Sequence, residues 1–108
     1  MNLNTFTGFS LLLFTAISLT FPSSARASDP VILETGKTTT FPTWEGSKNT
    51  RLCIVGMGGD TFVQINAGAQ QESLSTGNGQ TTCIQRSWGG IIIGVTNSGL
   101  SLVKVWTS

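Results

Sequence analysis

Histidine and tyrosine are both absent from this chain, which removes most familiar catalytic arrangements before any spacing is considered. Without an imidazole there is no Ser-His-Asp or Cys-His pair to activate a nucleophile, and no His-based zinc site. Carboxylates and lysines remain. A pair of carboxylates can hydrolyse glycosides, one as acid and the other as base or nucleophile, and the candidates are Glu34, Glu45, Asp60 and Glu72. Each stands singly among turn or strand-end residues, where a solvated carboxylate is the ordinary outcome, so the pattern points away from an enzyme. Gly56-Met57-Gly58-Gly59-Asp60 has the composition of a phosphate-binding loop. Such loops open a helix, whereas the next segment, TFVQIN from Thr61 to Asn66, alternates as a strand does. Asp60 also lacks the Asp/Asn-rich spacing of a calcium loop. Neither a metal nor a cofactor is expected.

Tryptophans offer a different chemistry, because an exposed indole can stack on a sugar ring or anchor a protein partner. Trp88 shares a strand face with Ile84 and Trp106 ends an apolar run, so both are expected in the core. Trp44 follows Phe41-Pro42-Thr43 and precedes the polar segment Glu45-Gly46-Ser47-Lys48-Asn49. With Glu45, Lys48 and Asn49 as hydrogen-bonding neighbours, it marks the candidate recognition loop. Cys53 and Cys83 lie 30 positions apart, far from the C-x-x-C spacing of redox pairs, and they read as one structural disulfide.

The amino terminus sets where that disulfide forms. Phe9 to Phe21 is an apolar run of 13 residues, followed by Pro22 and by Ala25-Arg26-Ala27, an A-x-A cleavage pattern. A membrane anchor needs about 20 apolar residues. Residues 1–27 are therefore expected to be a secretory signal peptide, although Met1 to Gly8 carry no Lys or Arg. Residues 28–108 would form a single exported domain, secreted or periplasmic, with no membrane segment after cleavage. In such a compartment disulfides persist. Between Ser28 and Ser108 five bases (Lys37, Lys48, Arg51, Arg86, Lys104) balance five acids (Asp29, Glu34, Glu45, Asp60, Glu72). A neutral chain gains little from counterion release, which excludes nucleic acid as a partner.

The elements that must position these residues are strands. Between Ser28 and Ser108, Thr, Val and Ile outnumber Ala by 25 to two, and no helical stripe is sustained. Short β-type runs are expected at Val31–Glu34, Lys37–Thr43, Thr50–Val55, Thr61–Asn66, Gln71–Thr76, Gln80–Trp88, Ile91–Asn97 and Leu100–Trp106. Gly77-Asn78-Gly79 offers the Asn-Gly pair of a two-residue hairpin. Asn97-Ser98-Gly99 suggests a second hairpin with Gly99 in the left-handed region, and Gly56–Asp60 a third.

Alternation places Leu52 and Ile54 on one face of their strand and Arg51, Cys53 and Val55 on the other; likewise Ile84 and Trp88 oppose Cys83, Gln85 and Ser87. Both cysteines thus fall on the more polar face, which predicts a bond between neighbouring strands on an outer surface or rim. Two strands intervene between them, so the bond requires either a nonsequential, Greek-key-like neighbour relation or a sheet-to-sheet approach. The predicted fold is all-β, a small antiparallel β-sandwich or partly open barrel of seven or eight strands with one disulfide. Ile91–Val95 is apolar on both faces, as a central core strand is, and Leu100–Trp106 in both registers; the alternative reading of this surplus of apolar surface is a protein partner or self-association there. The functional expectation is a non-catalytic binding or assembly role. The alternatives are a small carbohydrate-binding module using Trp44, Glu45, Lys48 and Asn49, or a secreted inhibitor or toxin-like protein.

Overall fold

Leu52 and Ile54 alternate with Arg51 and Val55 along the longest strand, and the same two-residue period recurs in most of the strands around them. In a computed structural model, which describes residues 28–108, eight strands form: β1 (Val31–Leu33), β2 (Thr38–Phe41), β3 (Thr50–Met57), β4 (Thr61–Ala67), β5 (Gln70–Thr76), β6 (Thr81–Arg86), β7 (Ile93–Asn97) and β8 (Leu102–Thr107). The proposed leader, residues 1–27, lies outside the described residues.

Two four-stranded antiparallel sheets result. Sheet 1 has the order β1-β8-β3-β6 and sheet 2 the order β2-β7-β4-β5. Strands pair from the ends of the described chain inward, β1 with β8, β2 with β7, β3 with β6 and β4 with β5. This is a long hairpin folded over on itself, the jelly-roll form of the sandwich with its two Greek keys. Leu52, Ile54, Val103 and Val105 of sheet 1 face Phe41, Val63, Ile65, Leu74, Ile93 and Val95 of sheet 2, all buried. Removing each such side chain from water contributes about 1.5–3 kcal/mol.

The disulfide joins Cys53 to Cys83, residues paired directly across β3 and β6. It lies on the outer face of sheet 1, as alternation requires, because Leu52 and Ile54 on either side of Cys53 point into the core. Trp88 packs against the core from the rim. Trp106 does not. It alternates with buried Val105 and Thr107 and stands beside Cys53 on the outer face, half-buried. The apolar composition of its strand concealed a strict alternation in which Lys104 and Trp106 point outward together.

The connections differ from the hairpins expected. Among the described residues only β4 and β5 form one, through Gly68-Ala69, with Gly68 in the left-handed region at φ 62°. Asn78-Gly79 does make a turn, with Gln80 N–H donating to Gly77 O at 3.1 Å and Gly79 at φ 70°. The flanking strands nevertheless belong to opposite sheets, since β4 has already claimed β5 and the pairing with β3 holds β6. Gly79 N–H donates to Gly56 O and Gly58 N–H to Asn78 Oδ1, so the turn docks on the β3–β4 loop rather than continuing a ladder.

The β3–β4 and β7–β8 connections likewise cross between sheets. Gly99 is not left-handed; it is small because a Cβ there would lie 2.1 Å from Thr61 Oγ1 and 2.7 Å from Phe62 N. The strand expected from Ile91 begins at Ile93, leaving Ile91 and Ile92 exposed in the β6–β7 loop. The strand expected from Leu100 begins at Leu102, with Leu100 fully out in solvent.

Candidate functional site

The nested pairing sorts the loops into two groups. Loops 34–37, 58–60, 77–80 and 98–101 gather at one end of the sandwich, and loops 42–49, 68–69 and 87–92 at the other. The first end is organised by Asn97, wholly buried at the end of β7. Its Nδ2 donates to Leu33 O at 2.9 Å and Ser101 O at 2.8 Å, while its Oδ1 accepts from Thr61 Oγ1 at 2.9 Å and Gly99 N at 3.1 Å. All four hydrogen-bonding valences of the amide are thereby filled, as burial demands. One side chain thus ties β1, β4 and the β7–β8 loop together.

Beside that hub is an open cleft of about 660 Å³. Phe62 and Ser75, paired across β4 and β5, supply one wall, and Ser98 and Leu100 come from the β7–β8 loop. Asp60, Gln80 and Thr82 complete its polar lining. Phe62 is 38 % exposed because its neighbours Thr61 and Val63 take the inward positions of β4. Ser98 N–H donates to Phe62 O at 3.0 Å, which holds the β7–β8 loop against the strand. The cleft therefore offers an aromatic face, an aliphatic tip, several hydroxyls, an amide and one carboxylate. Such a set can stack on a ring and hydrogen-bond its hydroxyls. Two-carboxylate hydrolysis has only one of its two groups in this lining.

The residues singled out from sequence lie at the opposite end. Trp44 is half-buried, its backbone N–H donating to Thr50 Oγ1 at 2.8 Å, and Thr43 Oγ1 donates to Ile91 O at 2.6 Å. Lys48 Nζ stands 3.9 Å from the centroid of the Trp44 ring, a cation–π contact. A sugar stacking on that side of the indole would first displace Lys48. Glu45 turns toward the β6–β7 loop, where a Cβ on Gly90 would lie 3.0 Å from its Cγ. Asn49 is exposed. The structure thus brings Trp44 and Lys48 together and directs Glu45 elsewhere.

Among the other carboxylates, Glu72 pairs with Arg86 at 3.1 Å across the open edge between β5 and β6. Beside this pair lies a smaller recess of about 280 Å³ reaching Ile65 and Trp88. Among the described residues no group of three or more Cys, Asp or Glu is placed to hold a metal ion.

Phe62 was missed in the sequence, although a signal for it was present. In TFVQIN it is the one aromatic residue out of phase with Val63 and Ile65, and an aromatic in the outward phase of a strand is a surface feature.

Relatives share the domain. One protein of Dictyostelium discoideum, carrying the name uncharacterized protein, is 39 % identical over 82 residues, covering 73 % of this chain and 96 % of the relative. A second from the same organism, named likewise, is 36 % identical over 69 residues, covering 63 % of this chain and 82 % of the relative. A family model matches residues 31–108, from the first residue of β1 to the end of the chain, and the protein belongs to that family of unknown function, DUF8244.

Proposed function

We propose that the protein is an exported, non-catalytic binding domain whose ligand seat is the Phe62 cleft, and that the ligand is a saccharide. The observation that carries this reading is the composition of the cleft: an outward phenyl ring beside Ser75, Ser98, Gln80 and Asp60. A sugar ring has an apolar face to set against phenyl and hydroxyls that need both donors and acceptors. Export is supported by the leader pattern of residues 1–27 and by the Cys53–Cys83 bond, which persists in oxidising compartments. Amino-terminal sequencing of the secreted protein tests that half of the proposal, with Ser28 as the expected first residue.

Binding is tested by calorimetry against a panel of neutral mono- and disaccharides. Phe62→Ala is expected to weaken binding about tenfold and Trp44→Ala to leave it within about twofold. The converse pattern would move the site to the Trp44 loop. Failure of every saccharide to bind would overturn the reading.

A second reading, association with a protein partner, draws on the outer face of sheet 1. Met57 and Leu102 pair across β3 and β8 there, and Ile32 is 54 % exposed nearby. Concentration-dependent sedimentation, lost in Leu102→Gln, would favour it.

A further inference from the structure

The outer face of sheet 2 is chemically uniform in a way that composition did not suggest. Register places Thr38, Thr96, Gln64 and Ser73 in one row across all four strands. The adjacent row is Thr40, Gly94, Asn66 and Gln71. Phe62 and Ser75 follow at the cleft end of β4 and β5. No outward position in these strands carries a charge, although ten charged residues are distributed between Ser28 and Ser108. Each row spans about 14 Å, three strand spacings. Thr38 and Thr96 share a hydrogen bond of 2.7 Å between their hydroxyls.

Gly94 sits in a central strand of this face. Its φ is not in the left-handed region, and a Cβ there would meet only Thr38 Cγ2, at 4.0 Å. Neither backbone conformation nor crowding requires glycine, while glycine in a strand interior weakens the sheet. What its absent side chain does is leave the floor of the face open between Thr40 and Asn66. A glycine in a strand interior is one of the marks of a site where a ligand approaches closely.

We infer that this face is a track for a linear, neutral polysaccharide running from the Phe62 cleft across Gly94. The inference rests on the saccharide reading of the cleft and adds the ligand's length and charge. Hydroxyls and carboxamides each offer donors and acceptors, matching a ligand built of hydroxyls and ring oxygens. A polyanion finds no cation on the face, and a polycation finds no anion. Phe62 is the one apolar side chain on the face, whereas a protein interface draws on a central cluster of such anchors.

The test titrates the secreted protein, expressed from the full sequence, with di-, tetra- and hexasaccharides of β-1,4-linked glucose, mannose and N-acetylglucosamine. In at least one series affinity should rise about tenfold or more from disaccharide to hexasaccharide, as subsites are occupied in turn. Gly94→Val, which suits a strand and has room, should abolish that gain and leave disaccharide binding unchanged. Gln64→Ala should reduce the gain. Phe62→Ala should weaken every length. Affinity independent of length, or a gain that survives Gly94→Val, would overturn the track while leaving the cleft reading intact. No binding at any length would overturn both.

Discussion

The two sheets cover one core and turn opposite surfaces to solvent. Outward on sheet 1 stand Ile32, Met57, Leu102 and Trp106, with Arg51 and Lys104 as the charges and the Cys53–Cys83 bond among them. Outward on sheet 2 stand threonines, amides and serines without a charge, and Phe62 is the aromatic residue at its cleft end. The buried core residues of both sheets are Val, Ile and Leu, with Phe41 added by sheet 2. A two-layer sandwich constrains its inner faces for packing and leaves the outer ones free to differ, and the proposed ligand seat is assigned to the face without charges. Sheet 1 carries the staple, exposed apolar side chains and two cations, while sheet 2 carries no staple and no outward charge, which is the surface proposed for a neutral, hydroxylated ligand.

Asn97→Leu should break both faces together and produce the largest effect. It strands Leu33 O, Ser101 O, Gly99 N and the Thr61 hydroxyl, each worth about 1 kcal/mol or more. A loss of about 4 kcal/mol is expected by urea denaturation, a large share of ordinary domain stability. Replacing both Cys53 and Cys83 with Ala separates the faces. It should cost about 3–4 kcal/mol through the freed 30-residue loop, yet leave saccharide affinity of the folded protein unchanged. Phe62→Ala reverses that signature, losing about 1.4 kcal/mol of binding and less than about 1 kcal/mol of stability. Lys104→Glu, in the middle of sheet 1's outer face, should shift stability by no more than about 0.5 kcal/mol and leave calorimetric saccharide binding unchanged. A change in binding there would erase the distinction between the faces.

Alternation made much of this architecture legible. It placed Leu52 and Ile54 inside and both cysteines outside, and the need to join two nonadjacent strands narrowed the disulfide to a Greek-key-like neighbour relation or a sheet-to-sheet approach, of which the first is present in the β3–β6 pairing. Turns misled, because Asn78-Gly79 and Gly99 carry the same local chemistry whether the chain returns within a sheet or crosses to the other. That choice is made by long-range pairing, here β3 with β6 and β7 with β4. Asn97 read as a turn residue because its partners, Leu33 and Thr61, are 64 and 36 positions away. For the candidate site, Trp44 drew attention by residue type and Phe62 was passed over. The cleft around Phe62 draws on β4, β5, β6 and two loops, none of them adjacent to all the others in sequence.

The contrast between the two faces is tested most directly by two-dimensional NMR of isotope-labelled protein during titration with a hexasaccharide that binds. Amide shifts should move at Phe62, Ser75, Gln64, Gly94 and Thr96, and the Trp106, Lys104 and Met57 amides should stay in place. Shifts clustered on the sheet 1 face or around Trp44, with the sheet 2 amides still, would contradict the account.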